Sequence, residues 1–155
     1  MTIGRVVAAL AALAVLAPTL ALADPSPTTV EQLRQPPADP TADTDYNRGV
    51  RARAMKDWAA AEAAFRRAIV QRPDFADAWN ELGYALRHLR RYEDSVNAYH
   101  EALRLRPHFP EALEYLGEAY VKMGRLDEAR SVLNRLRPLD AARAEELAEE
   151  IGKGK

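Results

Sequence analysis

Residues 76–109 read ADAWNELGYALRHLRRYEDSVNAYHEALRLRPHF, and the same text recurs in outline on either side. Gly83 has counterparts 34 residues before and after it, Gly49 and Gly117. Leu89 stands in register with Met55 and Met123, and Tyr92 with Trp58 and Leu126. Tyr99 matches Phe65 and Leu133, and Ala102 matches Ala68 and Leu136. Pro107 and Phe109 repeat Pro73 and Phe75. A fixed period of this length signals stacked copies of one small unit instead of a single closed core. Stacked units leave an extended concave surface, and function is to be sought there first.

Each unit carries two helical patterns. Trp79, Leu82, Leu86 and Leu89 share one helical face, and Tyr92, Val96, Tyr99 and Leu103 share the next. Gly83 falls mid-helix among large residues, where glycine costs about 1 kcal/mol. Close approach of a neighbouring helix offsets such a cost, and Ala61, Ser95 and Ala129 are the small residues expected opposite. Pro73 and Pro107 end the second helices of the first two units. Pro110 suits a first helical turn, where its missing N–H is no loss. Asp57, before Trp58, suits an N-cap.

This pattern resembles the tetratricopeptide repeat, a helix–turn–helix unit. The middle copy matches best, with Trp79, Leu82, Gly83, Leu86, Ser95, Tyr99, Ala102 and Pro107. The third offers Leu113, Leu116, Gly117, Tyr120, Ala129 and Leu133. The first is weaker at its start but recovers at Gly49, Ala52, Ala61, Phe65, Ala68 and Pro73. The resemblance covers residues 42–143 and implies an all-α protein, a right-handed α-solenoid of three TPR-like repeats at 42–75, 76–109 and 110–143. Asp45 and Arg48 stand where large apolar residues belong, which suits an end unit with nothing stacked in front. The third unit lacks a closing proline in register. Pro138 comes earlier, so its second helix should be shorter. A capping helix is expected over 140–151, overlapping the end of the third repeat and followed by a frayed tail at 152–155. Leu139, Leu147 and Ile151 would cover the last unit, and Glu145, Glu146, Glu149 and Glu150 would face water. Stacked arrays need such a polar-faced end for solubility.

The N-terminus reads as something other than fold. Arg5 is the last charge before Asp24, and an Ala-, Leu- and Val-rich run broken by Pro18 lies between them. Ala21-Leu22-Ala23 supplies small residues at both positions of a cleavage site. Together these predict a secretory signal peptide over 1–23, with the mature chain starting at Asp24. The competing reading is an uncleaved anchor, because the uncharged run just reaches the length of a membrane span. Residues 24–41 hold five of the ten prolines and read as an extended linker. The protein is therefore expected to be periplasmic or secreted, of an exported bacterial type, and off the membrane once cleaved.

Composition excludes much chemistry. The chain of 155 residues contains no cysteine, so disulfides, thiolate metal sites and cysteine nucleophiles are ruled out. Its 22 basic and 23 acidic residues give a net charge of -1 and are interleaved, which argues against nucleic acid as a partner. His88, His100 and His108 lack metal-ligand spacing. No phosphate loop, nucleophile elbow or zinc-protease motif occurs. The expectation is no enzyme, no cofactor and no metal site.

What remains is the groove. In tetratricopeptide arrays the first helix of each unit lines the concave face, where partners usually bind. Subtracting core positions leaves Tyr46, Asn47, Val50 and Arg53 on the first such helix. The second leaves Asn80, Glu81, Tyr84, Arg87 and His88, and the third Glu114, Tyr115, Glu118, Val121 and Lys122. Within each set the spacing is that of one helical face. Arg53, Arg87 and Lys122 should form a basic row near the helix C-termini. Glu81, Glu114 and Glu118 should form an acidic row nearer the other ends, with Tyr46, Tyr84 and Tyr115 between. Chaperone-binding relatives carry a lysine and asparagine clamp, but Tyr46 and Val50 occupy two of its positions here. Only Asn47 and Arg87 could serve in a similar clamp. The expected activity is a non-catalytic scaffold binding another protein or peptide segment in this groove. The alternative is structural self-association through the ends of the array, and the sequence leaves the oligomeric state open.

Overall fold

The computed structural model describes residues 42–153, and among them all regular structure is helical. Three helical hairpins follow one another. The first pairs α1 (Ala42–Ala54) with α2 (Trp58–Gln71), and the second pairs α3 (Ala76–His88) with α4 (Tyr92–Leu105). The third pairs α5 (Pro110–Lys122) with α6 (Leu126–Leu136), and α7 (Ala141–Lys153) packs on both helices of that hairpin. The segments read as a signal peptide at 1–23 and a linker at 24–41 lie outside the described residues.

The turns inside the hairpins are copies of one another. Lys56, Arg90 and Gly124, spaced by the repeat, all take positive φ, at 59°, 62° and 72°. The next residue in each case sends its N–H back five positions, Asp57 to Ala52, Arg91 to Leu86 and Arg125 to Tyr120, each at 2.9 Å. This pattern satisfies the orphan carbonyls of the first helix and stops it there. Asp57 caps α2, its carboxylate accepting from the Ala60 N–H at 3.0 Å. Pro110 opens α5 as expected, and α6 has 11 residues against 14 in α2 and α4.

Two buried clusters run into each other. One is built on Ala61, Phe65, Leu82 and Leu86, the other on Tyr99, Leu113, Leu116, Leu136 and Leu147. Trp79 packs against both, with its indole N–H donating to the Pro73 carbonyl at 2.9 Å. The helices do approach closely at the repeating glycines, but chiefly against rings. A Cβ on Gly83 would lie 2.6 Å from the Tyr99 ring, and one on Gly49 would lie 2.5 Å from the Phe65 ring. Ser95, one of the small residues expected opposite, donates its hydroxyl to the Gly83 carbonyl at 2.8 Å. Gly117 instead faces Leu147 of α7, so the cap takes over the role that Leu133 would play in register.

At the first end Asp45, polar at an apolar register position, has a side chain 0% exposed. It accepts from Arg67 Nε at 3.0 Å and Gln71 Nε2 at 2.8 Å, and pairs with Arg48. A charge can be buried when its partners are this complete. Burial pushes the Asp45 carboxyl up, but the hydrogen bonds and charges of Arg67, Gln71 and Arg48 outweigh it and hold it below its ordinary value. At the other end Leu147 and Ile151 are buried, while Leu139, 37% exposed, lines a cavity with Leu113 and Arg135 of the last unit.

Candidate functional site

Helices α1, α3 and α5 lie side by side and carry the residues read as groove-lining. The spacing along each helix is that of one face, but the structure sorts those residues into three kinds.

The first kind is engaged in ion pairs that cross from one unit to the next. Arg53 on α1 donates to both oxygens of Glu81 on α3, each at 2.6 Å. Arg87 on α3 pairs with Glu118 on α5. Arg143, on the capping helix, pairs with Glu114 on α5 and reaches Glu111 at 3.1 Å. The acidic and basic rows expected from the sequence are thus largely one set of pairs. Asn80 and Glu114, at 2% and 4% exposed, present almost no surface. Asn80 Oδ1 is buried and has no hydrogen-bond partner among the described residues. Burial pushes the carboxyls of Glu81, Glu114 and Glu118 up, and their arginines pull them only part of the way back.

The second kind is aromatic. Tyr84 and Tyr115 have ring centroids 5.1 Å apart, and Tyr84 is 4.6 Å from His88. His88 stacks on Trp58 at 4.0 Å and an interplanar angle of 9°. Trp58 meets Tyr84 edge-on at 5.9 Å. The arginines that make the ion pairs also cover these rings: Arg53 lies 4.7 Å from the Tyr84 centroid, and Arg87 lies 5.3 Å from both Tyr84 and Tyr115. Such contacts each contribute about 0.5–1 kcal/mol at exposed sites. Burial and the charges of Arg87, Arg53 and Lys56 lower the His88 pKa. His88 is therefore neutral at neutral pH. Tyr46 does not join this strip. It packs on Phe75 at 4.8 Å and Phe65 at 5.7 Å, so it belongs to the core of the first unit.

The third kind is open surface. Asn47, Val50 and Lys122 are exposed, Val50 by 38%. Val121 is half-buried against the second cluster.

Two members of the site escaped the sequence reading. Trp58 was read only as the register partner of Tyr92 and Leu126, yet it is half-buried and stacks on His88. Its counterparts are Tyr92 and Leu126, so the larger ring in the first unit was the available signal. Arg143 lies 29 residues after Glu114. The same interval separates Arg72 from Asp43, Arg91 from Glu62 and Arg106 from Asp77, all hydrogen-bonded pairs. That interval was legible in the sequence.

Nothing in this geometry resembles an activated nucleophile or an acid–base pair. Among the described residues no group of three or more His, Asp or Glu side chains could hold a metal ion. None of their helices is long and apolar enough to cross a membrane.

Comparison with known proteins places the architecture. Two tetratricopeptide-repeat models match the chain, over residues 46–99 and 86–150. Among solved structures, the TPR2B-domain:pHsp70 complex of yeast Sti1 superposes with a TM-score of 0.70 at 19% identity, covering 74% of this chain and 98% of that one. The TPR domain of Arabidopsis OM64 gives 0.69 at 17% identity, with 74% and 96% covered. The first TPR of Spaghetti (RPAP3) bound to an HSP90 peptide gives 0.69 at 16% identity, with 72% and 90% covered. No curated protein matches the chain.

Proposed function

We propose, for a chain that belongs to the tetratricopeptide-repeat family, that it is a non-catalytic scaffold holding a segment of another protein on the face formed by α1, α3 and α5. The observation that carries this reading is the aromatic strip. Trp58, His88, Tyr84 and Tyr115 make an unbroken run of ring contacts across three repeats without being sealed into the core. Large rings left partly open in a concavity lined by fixed polar groups are the usual anatomy of a binding site. Solved relatives hold chaperone segments on the same fold. Here Arg87 is already bound to Glu118, which removes one of the two residues that could have rebuilt a carboxylate clamp.

The location of the protein follows from its first 23 residues, read as a signal peptide that is removed before Asp24. The partner is then an envelope or extracellular protein, not a cytosolic chaperone. Site-specific photo-crosslinking tests the face. A crosslinker at Val50 should capture a partner, and Tyr84→Ala elsewhere in the chain should abolish that capture. A crosslinker at Asn97, on α4, should capture nothing. Equal capture at Asn97, or capture at Val50 indifferent to Tyr84, would remove the groove as the site. Mass spectrometry of the exported product checks the location: an intact N-terminus held in the membrane would replace cleavage by anchoring.

A further inference from the structure

Charge is not spread evenly along the array. Residues 42–75 hold seven basic and five acidic side chains, residues 76–139 hold ten of each, and residues 140–153 hold two basic and five acidic. The excess at each end sits on surface that nothing among the described residues covers. Asp45, an acid of the first unit, is buried, while Arg48 and Arg67, which pair with it, stay half-exposed. Arg51 is exposed and makes no ion pair among the described residues. At the other end Arg143 is taken up by Glu114, Glu111 and Asp140. Lys153 alone is left to balance Glu149 and Glu150. Glu145 and Glu146 are exposed and make no ion pair among the described residues.

The repeat identifies the face at the first end. Ala78, Leu82 and Ala85 form the stripe of α3 that is buried in one cluster with Ala61, Phe65 and Ala68 of the preceding unit. On α5 the same register positions are Ala112, Leu116 and Ala119, buried with Tyr99 and Ala102. One period before α3, α1 carries Thr44, Arg48 and Arg51 there, and Met55, 75% exposed, continues the line. A stripe that joins units through apolar side chains elsewhere is basic at the first end. A surface that meets it must supply carboxylates to the arginines. Helix α7 packs on α5 and α6 through Ala144, Leu147 and Ile151, which turns Glu145, Glu146 and Glu149 away from the array. Helices α1 and α7 have the same length, 13 residues. Two first ends brought together set arginine against arginine, and two last ends set glutamate against glutamate, so like charges disfavour both. A first end against a last end pairs them. Because the two ends differ, each added copy leaves one of each free, and the contact does not close on a pair.

We propose that the two ends of the array form a self-association site, separate from the face that holds a partner segment: the acidic outer side of α7 in one copy docks on the arginine stripe of α1 in the next. Sedimentation of the exported chain tests this. At about 0.05 M salt the mass should rise with concentration past that of two copies, and at about 0.5 M it should fall to that of one, because the pairs are exposed and screened. Arg51→Glu blocks the first end. Glu145→Gln, Glu146→Gln and Glu149→Gln together block the last, and all four positions are exposed. Each blocked protein alone should associate about tenfold or more weakly than the parent. An equimolar mixture of the two keeps one intact first end and one intact last end, so it should form a pair and stop there. Circular dichroism checks that both variants keep their helical content. A parent that stays single at every concentration in low salt would overturn the proposal. Association indifferent to salt, or a pair that each blocked protein still forms alone, would overturn it too and move the contact to another surface. None of these outcomes bears on capture at Val50, which judges the groove by itself.

Discussion

Replacing Gly83 by alanine sets two effects against each other. Alanine in a helix interior is favoured over glycine by about 1 kcal/mol. Against that, a Cβ at position 83 would lie 2.6 Å from Cε1, 2.8 Å from Cδ1 and 2.9 Å from Cζ of Tyr99. Carbon atoms in good contact sit about 3.5–4.0 Å apart, so the ring must retreat by roughly 1 Å. Tyr99 is fully buried, and its neighbours leave it little room. Ser95 meanwhile ties α4 to the Gly83 carbonyl, so the two helices cannot simply slide apart. Overpacking a tight core costs about 1–3 kcal/mol, and a rigid ring that must move as a body belongs in the upper half of that range. After the propensity gain the net loss is about 1–2 kcal/mol. Each kcal/mol lowers the melting temperature of a domain near this size by about 4–8 °C. Thermal and urea unfolding followed by far-ultraviolet circular dichroism read it out. Tyr99→Leu supplies the control, since alanine at position 83 should cost nothing once the ring is gone, and coupling of at least about 1 kcal/mol should emerge from the double-mutant cycle. A Gly83→Ala protein as stable as its parent would refute the reasoning, because the ring would then have yielded freely.

Other positions isolate other terms. Gly124→Ala meets no atom within 4 Å but keeps a φ of 72°, so it should lose about 1 kcal/mol by conformation alone, measured by the same unfolding curves. No loss there would mean that the turn relaxes. Arg87→Ala strands the Glu118 carboxylate in the groove and should cost about 2 kcal/mol. Arg104→Ala, whose partner Glu101 is well solvated, should stay within about 0.5 kcal/mol, and equal effects of the two would contradict the burial argument. Asp45 is held below its ordinary value, so its stabilisation is present above that ordinary value and is lost as pH falls through the lowered folded value. Asp45→Asn should therefore destabilise by about 1–2 kcal/mol near neutral pH, the gap to the parent closing in acid. Parallel stability–pH profiles for the two proteins would count against a buried, charged Asp45.

The Asp57 N-cap, Pro110 at the start of α5 and the shorter α6 were legible, because each follows a local rule. The groove was legible only as a list of faces. Helical spacing places Glu81 and Arg53 on the same side of the array, but it cannot say that a 28-residue separation brings them within 2.6 Å. It also cannot tell a surface carboxylate from one sealed by a neighbour, which is why Glu114 and Asn80 were read as open. Asp45 shows the same limit. A polar residue at an apolar register position looks like a bare end, and only the return of α2 shows that Arg67 and Gln71 enclose it. Tyr46 turns onto Phe65 and Phe75 while Trp58 stacks on His88 of the next unit, contacts between helices that the repeat register does not reveal.

The ion pairs change what a mutation in the groove can reveal. Arg53, Arg87 and Arg143 each reach from one helix to another: α1 to α3, α3 to α5 and α7 to α5. They therefore tie neighbouring helices together as well as setting the charge of the face. Alanine at all three would alter stability and charge at once, and any loss of binding could be laid to either. The arginines also rest on Tyr84 and Tyr115, so removing them uncovers the rings. Of the expected basic row, Arg53 and Arg87 are held in ion pairs between helices, and Lys122 is exposed. Tyr84 carries both Arg53 and Arg87, so its substitution disturbs these ion pairs as well as the rings. Val50 is an apolar side chain 38% exposed on the same face. A substitution at Val50 therefore separates recognition from architecture better than one at Tyr84 or at the arginines.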